Sequence, residues 1–91
     1  MLYVVAYDIP CDRRRRKVSE LLNGYGQRVQ YSVFECVLSD KKLQELKQRL
    51  RKRVNLQEDS LRFYAIPTYS FGQIDVWNGV PFLSPQQSIV I

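Results

Sequence analysis

Two strand–helix–strand patterns in succession, only two stretches of helical apolar spacing, and a first strand that is apolar on both faces predict an α+β fold. The expected architecture is ferredoxin-like: a split-βαβ antiparallel sheet with two helices on one face. At 91 residues the chain has room for one core, so residues 1–91 are read as a single domain. Residues 1–67 are expected to carry the core, and residues 68–91 to form a C-terminal extension.

Leu2 to Ile9 is β-branched and aromatic and reads as a strand. Leu2, Val4 and Ala6 line one of its faces and Tyr3, Val5 and Tyr7 the other, a pattern suited to burial on both sides. Pro10 ends it, and Asp12 is the expected N-cap of a helix carrying Val18, Leu21, Leu22 and Tyr25 at helical spacing. Gly24 and Gly26 stop that helix. Val29 to Leu38 is extended, as one bent strand or two short ones. Ser39 or Asp40 caps a second helix with a stripe of Leu43, Leu46, Leu50 and Val54. Leu61 to Ile66 is the next strand, closed by Pro67, and a short strand is expected over Tyr69 to Ile74. Ser88-Ile89-Val90-Ile91 carries three β-branched residues, which need a sheet to join.

Composition removes several function classes. There is no histidine, so no Ser-His-Asp triad, Cys-His pair or histidine acid/base couple exists. Cys11 and Cys36 without histidine do not make a structural zinc site and are expected to be free thiols, at least one of them packed. No apolar run approaches the roughly 18 residues of a membrane span. The N-terminus has no basic n-region before its apolar run, so it reads as a strand and the expected compartment is the cytoplasm.

The 14 basic and 9 acidic residues are unevenly placed. Residues 1–53 hold 13 basic and 6 acidic side chains, net +7, against one basic and three acidic beyond, net −2. One run is Arg13-Arg14-Arg15-Arg16-Lys17; the other is Lys41, Lys42, Lys47, Arg49, Arg51, Lys52 and Arg53. Such clustering suits a polyanion, and Arg13 to Lys17 are the expected nucleic-acid contacts, with Arg14, Arg15 and Arg16 pointing outward. Two helices cover only one sheet face. The other face meets either RNA bases or a second subunit, and the apolar first strand favours a two-fold homodimer.

The opening Tyr3-Val4-Val5-Ala6-Tyr7-Asp8-Ile9-Pro10, continued by Asp12-Arg13-Arg14-Arg15-Arg16-Lys17-Val18, resembles the start of the small CRISPR-associated endoribonuclease family of the spacer-acquisition machinery. Tyr25-Gly26-Gln27-Arg28-Val29-Gln30-Tyr31-Ser32-Val33-Phe34-Glu35-Cys36 is similar to its second signature, and Asp59-Ser60-Leu61-Arg62-Phe63-Tyr64-Ala65-Ile66-Pro67 to its late strand. The resemblance covers residues 1 to 67. It implies a homodimeric ferredoxin-like fold with an added C-terminal strand, expected to contribute to the dimer by joining the partner's sheet, the alternative being a strand in its own sheet. It also implies a place beside the integrase subunit, holding duplex DNA. Some members of the family are metal-dependent nucleases on RNA or DNA, and others act as scaffolds. Residue by residue, the resemblance puts the metal-site aspartate on Asp8, the preceding tyrosine on Tyr7, basic site positions on Arg15, Lys17 and Arg28, and the second signature's aromatic on Phe34. Lys17 stands where an arginine can occur, keeping the charge without the bidentate fork.

Three readings follow. Taken alone, Asp8 is a strand-end carboxylate that caps a turn or pairs with Arg13–Arg16; in a dimer, two copies of Asp8 make a workable Mg²⁺ site for phosphodiester cleavage, with Arg15 and Arg28 neutralising charge. The second reading is a non-catalytic nucleic-acid scaffold carried by the basic runs. The third is a monomeric RNA-binding module, binding single-stranded RNA through sheet aromatics such as Tyr7 and Phe34.

Overall fold

The β-branched and aromatic opening of the chain becomes the centre of the sheet. The computed structural model describes residues 1–82. Its elements are β1 (Leu2–Asp8), α1 (Asp12–Asn23), β2 (Gln27–Gln30), β3 (Val33–Val37), α2 (Asp40–Arg51) and β4 (Ser60–Ile66), then a 3-10 helix over Thr68–Gln73. The strand order is β2-β3-β1-β4 and every neighbouring pair is antiparallel. This is the ferredoxin-like arrangement: each helix connects two parallel strands with one antiparallel strand between them. The expected strand over Ser88–Ile91 lies outside the described residues.

β1 pairs Val5 with Phe34 of β3 and with Phe63 of β4. Because successive side chains alternate, Tyr3, Val5 and Tyr7 share one face with Phe34 and Cys36. There they form a single core with Val18 and Leu22 of α1 and Leu43, Leu46 and Leu50 of α2. Burying each aliphatic or aromatic side chain contributes about 1.5–3 kcal/mol, so this one face supplies most of the driving force for folding. On the opposite face Leu2 is buried, while Val4 and Ala6 remain half-buried and Val37 and Tyr64 are exposed. Glu35 sits on that face opposite Val4, and burial pushes its carboxyl above the ordinary value.

Several local expectations are corrected. Cys11, not Asp12, is the N-cap of α1, and it makes no side-chain cap bond; Asp12 is the first helical residue. The helix ends at Gly24, as read, but with φ −79°, so no left-handed cap is used. Gly26 is needed for a different reason. A Cβ there would lie 2.3 Å from the Glu35 carbonyl oxygen and 2.5 Å from Cys36 Sγ, so only glycine lets the chain pass this close to β3. Val29 to Leu38 resolves into the second part of β2, a turn at Tyr31-Ser32 and β3, with a register shift between Arg28 and Gln30. Ser39 caps α2 by accepting from the Lys42 backbone N–H at 3.2 Å. The strand expected at Tyr69–Ile74 is a 3-10 helix, because Pro67 and Phe71 carbonyls accept from Ser70 and Ile74 and satisfy the backbone locally.

Candidate functional site

The C-terminal end of β1, the N-terminal turns of α1 and the tip of the β2–β3 hairpin meet at one end of the sheet. The Tyr7 backbone N–H donates to the Ser32 carbonyl at 3.1 Å, which ties the hairpin tip to the end of β1. Between these three elements lies a cleft of about 310 Å³ lined by Tyr7, Asp12, Arg15, Arg16, Ser19, Arg28 and Tyr31. The sequence-predicted Tyr7, Arg15 and Arg28 are therefore brought together, with Phe34 beneath them.

Arg28 owes its position to strand register. It pairs with Phe34, so both side chains project toward α1. Its guanidinium lies 5.1 Å from the Phe34 ring centroid, donates Nη1 to the Tyr31 carbonyl at 2.6 Å, and donates Nη2 to Ser19 Oγ on α1. Phe34 is 0% exposed and stacks with Tyr7 at 6.3 Å between centroids. Phe34 therefore supports Arg28 from within the core and does not reach the surface. The same burial removes Tyr7 and Phe34 as the stacking rings of the third sequence reading, since both belong to the core that α1 covers.

Arg15 donates Nη1 to the Ile9 carbonyl at 2.8 Å and Nη2 to Asp12 Oδ1. Arg13, Arg16 and Lys17 are exposed. Arg14 departs from the outward reading. Its Nε donates to Asp59 Oδ2 at 2.8 Å and its Nη2 to Asp59 Oδ1 at 3.0 Å and Glu58 Oε1 at 2.9 Å. The Asp59 side chain is fully buried and Arg14 retains only 24% exposure. Asp59 also accepts from the Asn55 backbone N–H at 2.8 Å, closing the loop between α2 and β4. The Arg14 guanidinium holds the Asp59 carboxyl below its ordinary value. Arg14 is thus a strut between α1 and that loop and not a free phosphate ligand. The pair is 45 residues apart and no spacing rule connects them; Asp59 was visible only as part of the late-strand resemblance.

The remaining cations at the start of α1 stand where the helix dipole disfavours positive charge, at about 0.3–1 kcal/mol each. Asp12 is the one acidic residue of that first turn. An anion bound there would relieve both the dipole mismatch and the mutual repulsion of the arginines. Lys17 instead faces Lys52 and Arg53 across a separate groove with Glu20 and Leu21. The second basic run is partly absorbed by packing: Lys47 lies 5.2 Å from the Phe63 ring centroid and Arg49 6.0 Å from that of Tyr25, whose hydroxyl donates to Glu45 Oε2 at 2.5 Å.

Asp8 is parted from this cleft by the alternation of the strand. It follows Tyr7 directly but projects to the opposite, helix-free face, where it is exposed and pairs across the backbone with Ser60. Among the described residues no ion pair holds its carboxylate. No group of three or more His, Cys, Asp or Glu side chains comes together among the described residues either. At this position one chain therefore offers a divalent cation one carboxylate, unpaired among the described residues. Mg²⁺ takes one or two carboxylates and fills its shell with water and phosphate oxygens, so one Asp8 meets the lower number and a second copy's Asp8 would supply the upper.

The family model described as CRISPR associated protein Cas2 matches residues 1–74. The chain is 56% identical over 90 residues to the CRISPR-associated endoribonuclease Cas2 3 of Synechocystis sp., covering 99% of this chain and 98% of the relative. It is 49% identical over 75 residues to the CRISPR-associated endonuclease Cas2 2 of Thermus thermophilus, covering 82% and 79%. Among solved structures, Streptococcus pyogenes Cas2 at pH 6.5 superposes with a TM-score of 0.77 at 32% identity, covering 86% of this chain and 100% of that one.

Proposed function

The chain belongs to the CRISPR-associated Cas2 family, and on that premise we propose that it is a homodimeric nucleic-acid-binding protein of CRISPR adaptation that cleaves phosphodiester bonds with Mg²⁺. The observation that carries this reading is the exposed Asp8 carboxylate, unpaired among the described residues, on the helix-free face at the end of the sheet whose other face carries the cationic cleft. Among the described residues Val4 and Ala6 of the helix-free face are half-buried and Val37 and Tyr64 exposed, and a second copy related by two-fold symmetry would bury them and add a second Asp8. The two carboxylates would hold Mg²⁺, which when bound supplies Lewis-acid stabilisation of phosphoryl charge and activates water. Arg15 and Arg28, held by the Ile9 and Tyr31 carbonyls on the opposite face, add fixed positive charge to the same end of the sheet and would draw the polyanion there. Arg13 and Arg16 contribute sequence-independent phosphate contacts to duplex DNA, in company with the integrase subunit.

One observation favours a non-catalytic scaffold as the second reading: a single chain gathers only one carboxylate at the proposed metal position. The relatives' names divide between endoribonuclease and endonuclease, so both RNA and DNA belong in the test. Purified protein is assayed on DNA and RNA with Mg²⁺ and with chelator, beside Asp8→Ala. Asp8 is exposed and contributes little to the core, so the variant is expected to fold and dimerise as the parent does and to lose all Mg²⁺-dependent cleavage. Cleavage undiminished in Asp8→Ala removes the metal assignment. Absence of cleavage in the parent, with duplex binding intact, leaves the scaffold reading.

A further inference from the structure

The β2–β3 hairpin turns at Tyr31, whose side chain is 90% exposed although it borders the cationic cleft. Its position is nevertheless held, because the Tyr31 carbonyl accepts from Arg28 Nη1 at 2.6 Å and the neighbouring Ser32 carbonyl accepts from the Tyr7 N–H at 3.1 Å. A free ring on a fixed backbone beside guanidinium groups is an arrangement suited to a nucleotide, which offers a π-face and an anion together.

We propose that Tyr31, Arg16, Ser19 and Arg28 form a subsite for one unpaired nucleotide, its base stacked on the Tyr31 ring and its phosphate against the guanidinium groups and the Ser19 hydroxyl. This rests on the nucleic-acid reading above and adds a specificity-determining residue to it. Arg16 is exposed and engaged in no ion pair among the described residues. Ser19 Oγ accepts from Arg28, which leaves its own proton to donate to a phosphate oxygen. Arg28 uses two of its five N–H donors on Tyr31 and Ser19 and retains the others. Asp12, the one carboxylate lining the cleft, is bound by Arg15. Inside a duplex both faces of a base are covered by its neighbours, so the Tyr31 ring can add affinity only for an unpaired base, of DNA or RNA alike. The subsite therefore separates single strands, flaps and frayed ends from continuous duplex.

The test is fluorescence anisotropy with the full chain in chelator, so that neither metal nor cleavage enters. The probes are short labelled single strands of DNA and of RNA, a labelled strand of the same length that is abasic throughout, and closed circular duplex, which has no ends to fray, as competitor. Tyr31→Ala is expected to weaken binding of either single strand by roughly 5- to 150-fold, the loss that follows from removing one base–aromatic stack. Tyr31→Phe should retain the parent affinity. Duplex binding should not change with either variant, and Tyr31→Ala should show no further loss on the abasic strand. Arg16→Ala should lower the slope of log affinity against log salt on single strands by roughly 0.7, and Tyr31→Ala should leave it unaltered. Because Tyr31 lies outside the core, loss of folding does not confuse these outcomes. Parent affinity of Tyr31→Ala for single strands, or equal losses on single strand and duplex, overturns the subsite while the nucleic-acid reading stands. A parent protein that binds none of the probes overturns both.

Discussion

Replacing Asp59 by asparagine tests whether the Arg14–Asp59 pair anchors α1 to the rest of the domain. The buried carboxylate accepts from Arg14 Nε at 2.8 Å, Arg14 Nη2 at 3.0 Å and the Asn55 N–H at 2.8 Å. An asparagine of the same shape has one carbonyl oxygen and would turn its amide N–H groups toward at least one of these donors. Breaking a buried ion pair costs about 3–5 kcal/mol. Arg14 is 24% exposed and keeps Glu58, so part of that loss is recovered through water and the remaining carboxylate. The expected destabilisation is about 2–3 kcal/mol. At about 4–8 °C per kcal/mol for a domain of this size, Tm should fall by about 10–20 °C at neutral pH. Thermal unfolding is followed by circular dichroism at fixed protein concentration, because any dimer makes Tm concentration-dependent. The pH dependence is a second readout. The folded-state pKa of Asp59 is depressed by Arg14, so its contribution is complete above the unfolded carboxyl value near pH 3.9 and is lost as pH falls through the lower folded value. The Tm gap between parent and Asp59→Asn should close across that acid range. A gap below about 3 °C at pH 7, or one that persists unchanged into acid, refutes the anchoring argument.

Gly26→Ala should lower the urea midpoint by the equivalent of about 1–3 kcal/mol with unchanged m-value, since its Cβ would meet the Glu35 carbonyl and Cys36 Sγ; an unaltered midpoint would show that β3 yields freely. Cys36 is fully buried and its thiol is pushed up to about 11, whereas Cys11 is half-buried and its thiol is lowered by the Arg14 backbone N–H. A thiol reagent near pH 8 should therefore label one site per folded chain, Cys11, and reach Cys36 only on unfolding. Arg13→Ala combined with Arg16→Ala should weaken duplex binding and reduce the salt slope by roughly one unit per lost phosphate contact. Arg14→Ala should instead lower Tm and leave the slope nearly as it was, and a slope change equal to that of the double variant would place Arg14 on the nucleic acid after all.

What was legible in the chain is what local patterning carries. The two-sided apolar strand from Leu2, the stripes Val18/Leu22 and Leu43/Leu46/Leu50, and the cap at Ser39 each depend on residues a few positions apart, and the structure has them as read. The order of strands and helices then restricts the topology to few solutions. Elements without such periodicity were misread. Tyr69 and Phe71 alternate like a strand, yet Pro67 starts a 3-10 helix whose own bonds satisfy the backbone.

Fold class, family resemblance and the density of cations at the start of α1 all follow from the order of residues along the chain. Which of those cations are free depends on what packing brings beside them. Five consecutive basic residues spread around the first turns of a helix, and each meets whatever the rest of the fold brings alongside it. Asp59, 45 positions away, takes Arg14; the Ile9 carbonyl and Asp12 take Arg15; nothing described takes Arg16. The same holds for Tyr7 and Asp8, adjacent in sequence and assigned together, which strand alternation sends to opposite faces of the sheet. Periodicity reports on neighbours along the chain, whereas a site is made by neighbours in space. That is why the roles of Ser19, Tyr31 and Asp59 follow only from the packing of the hairpin, the helix and the loop against one another.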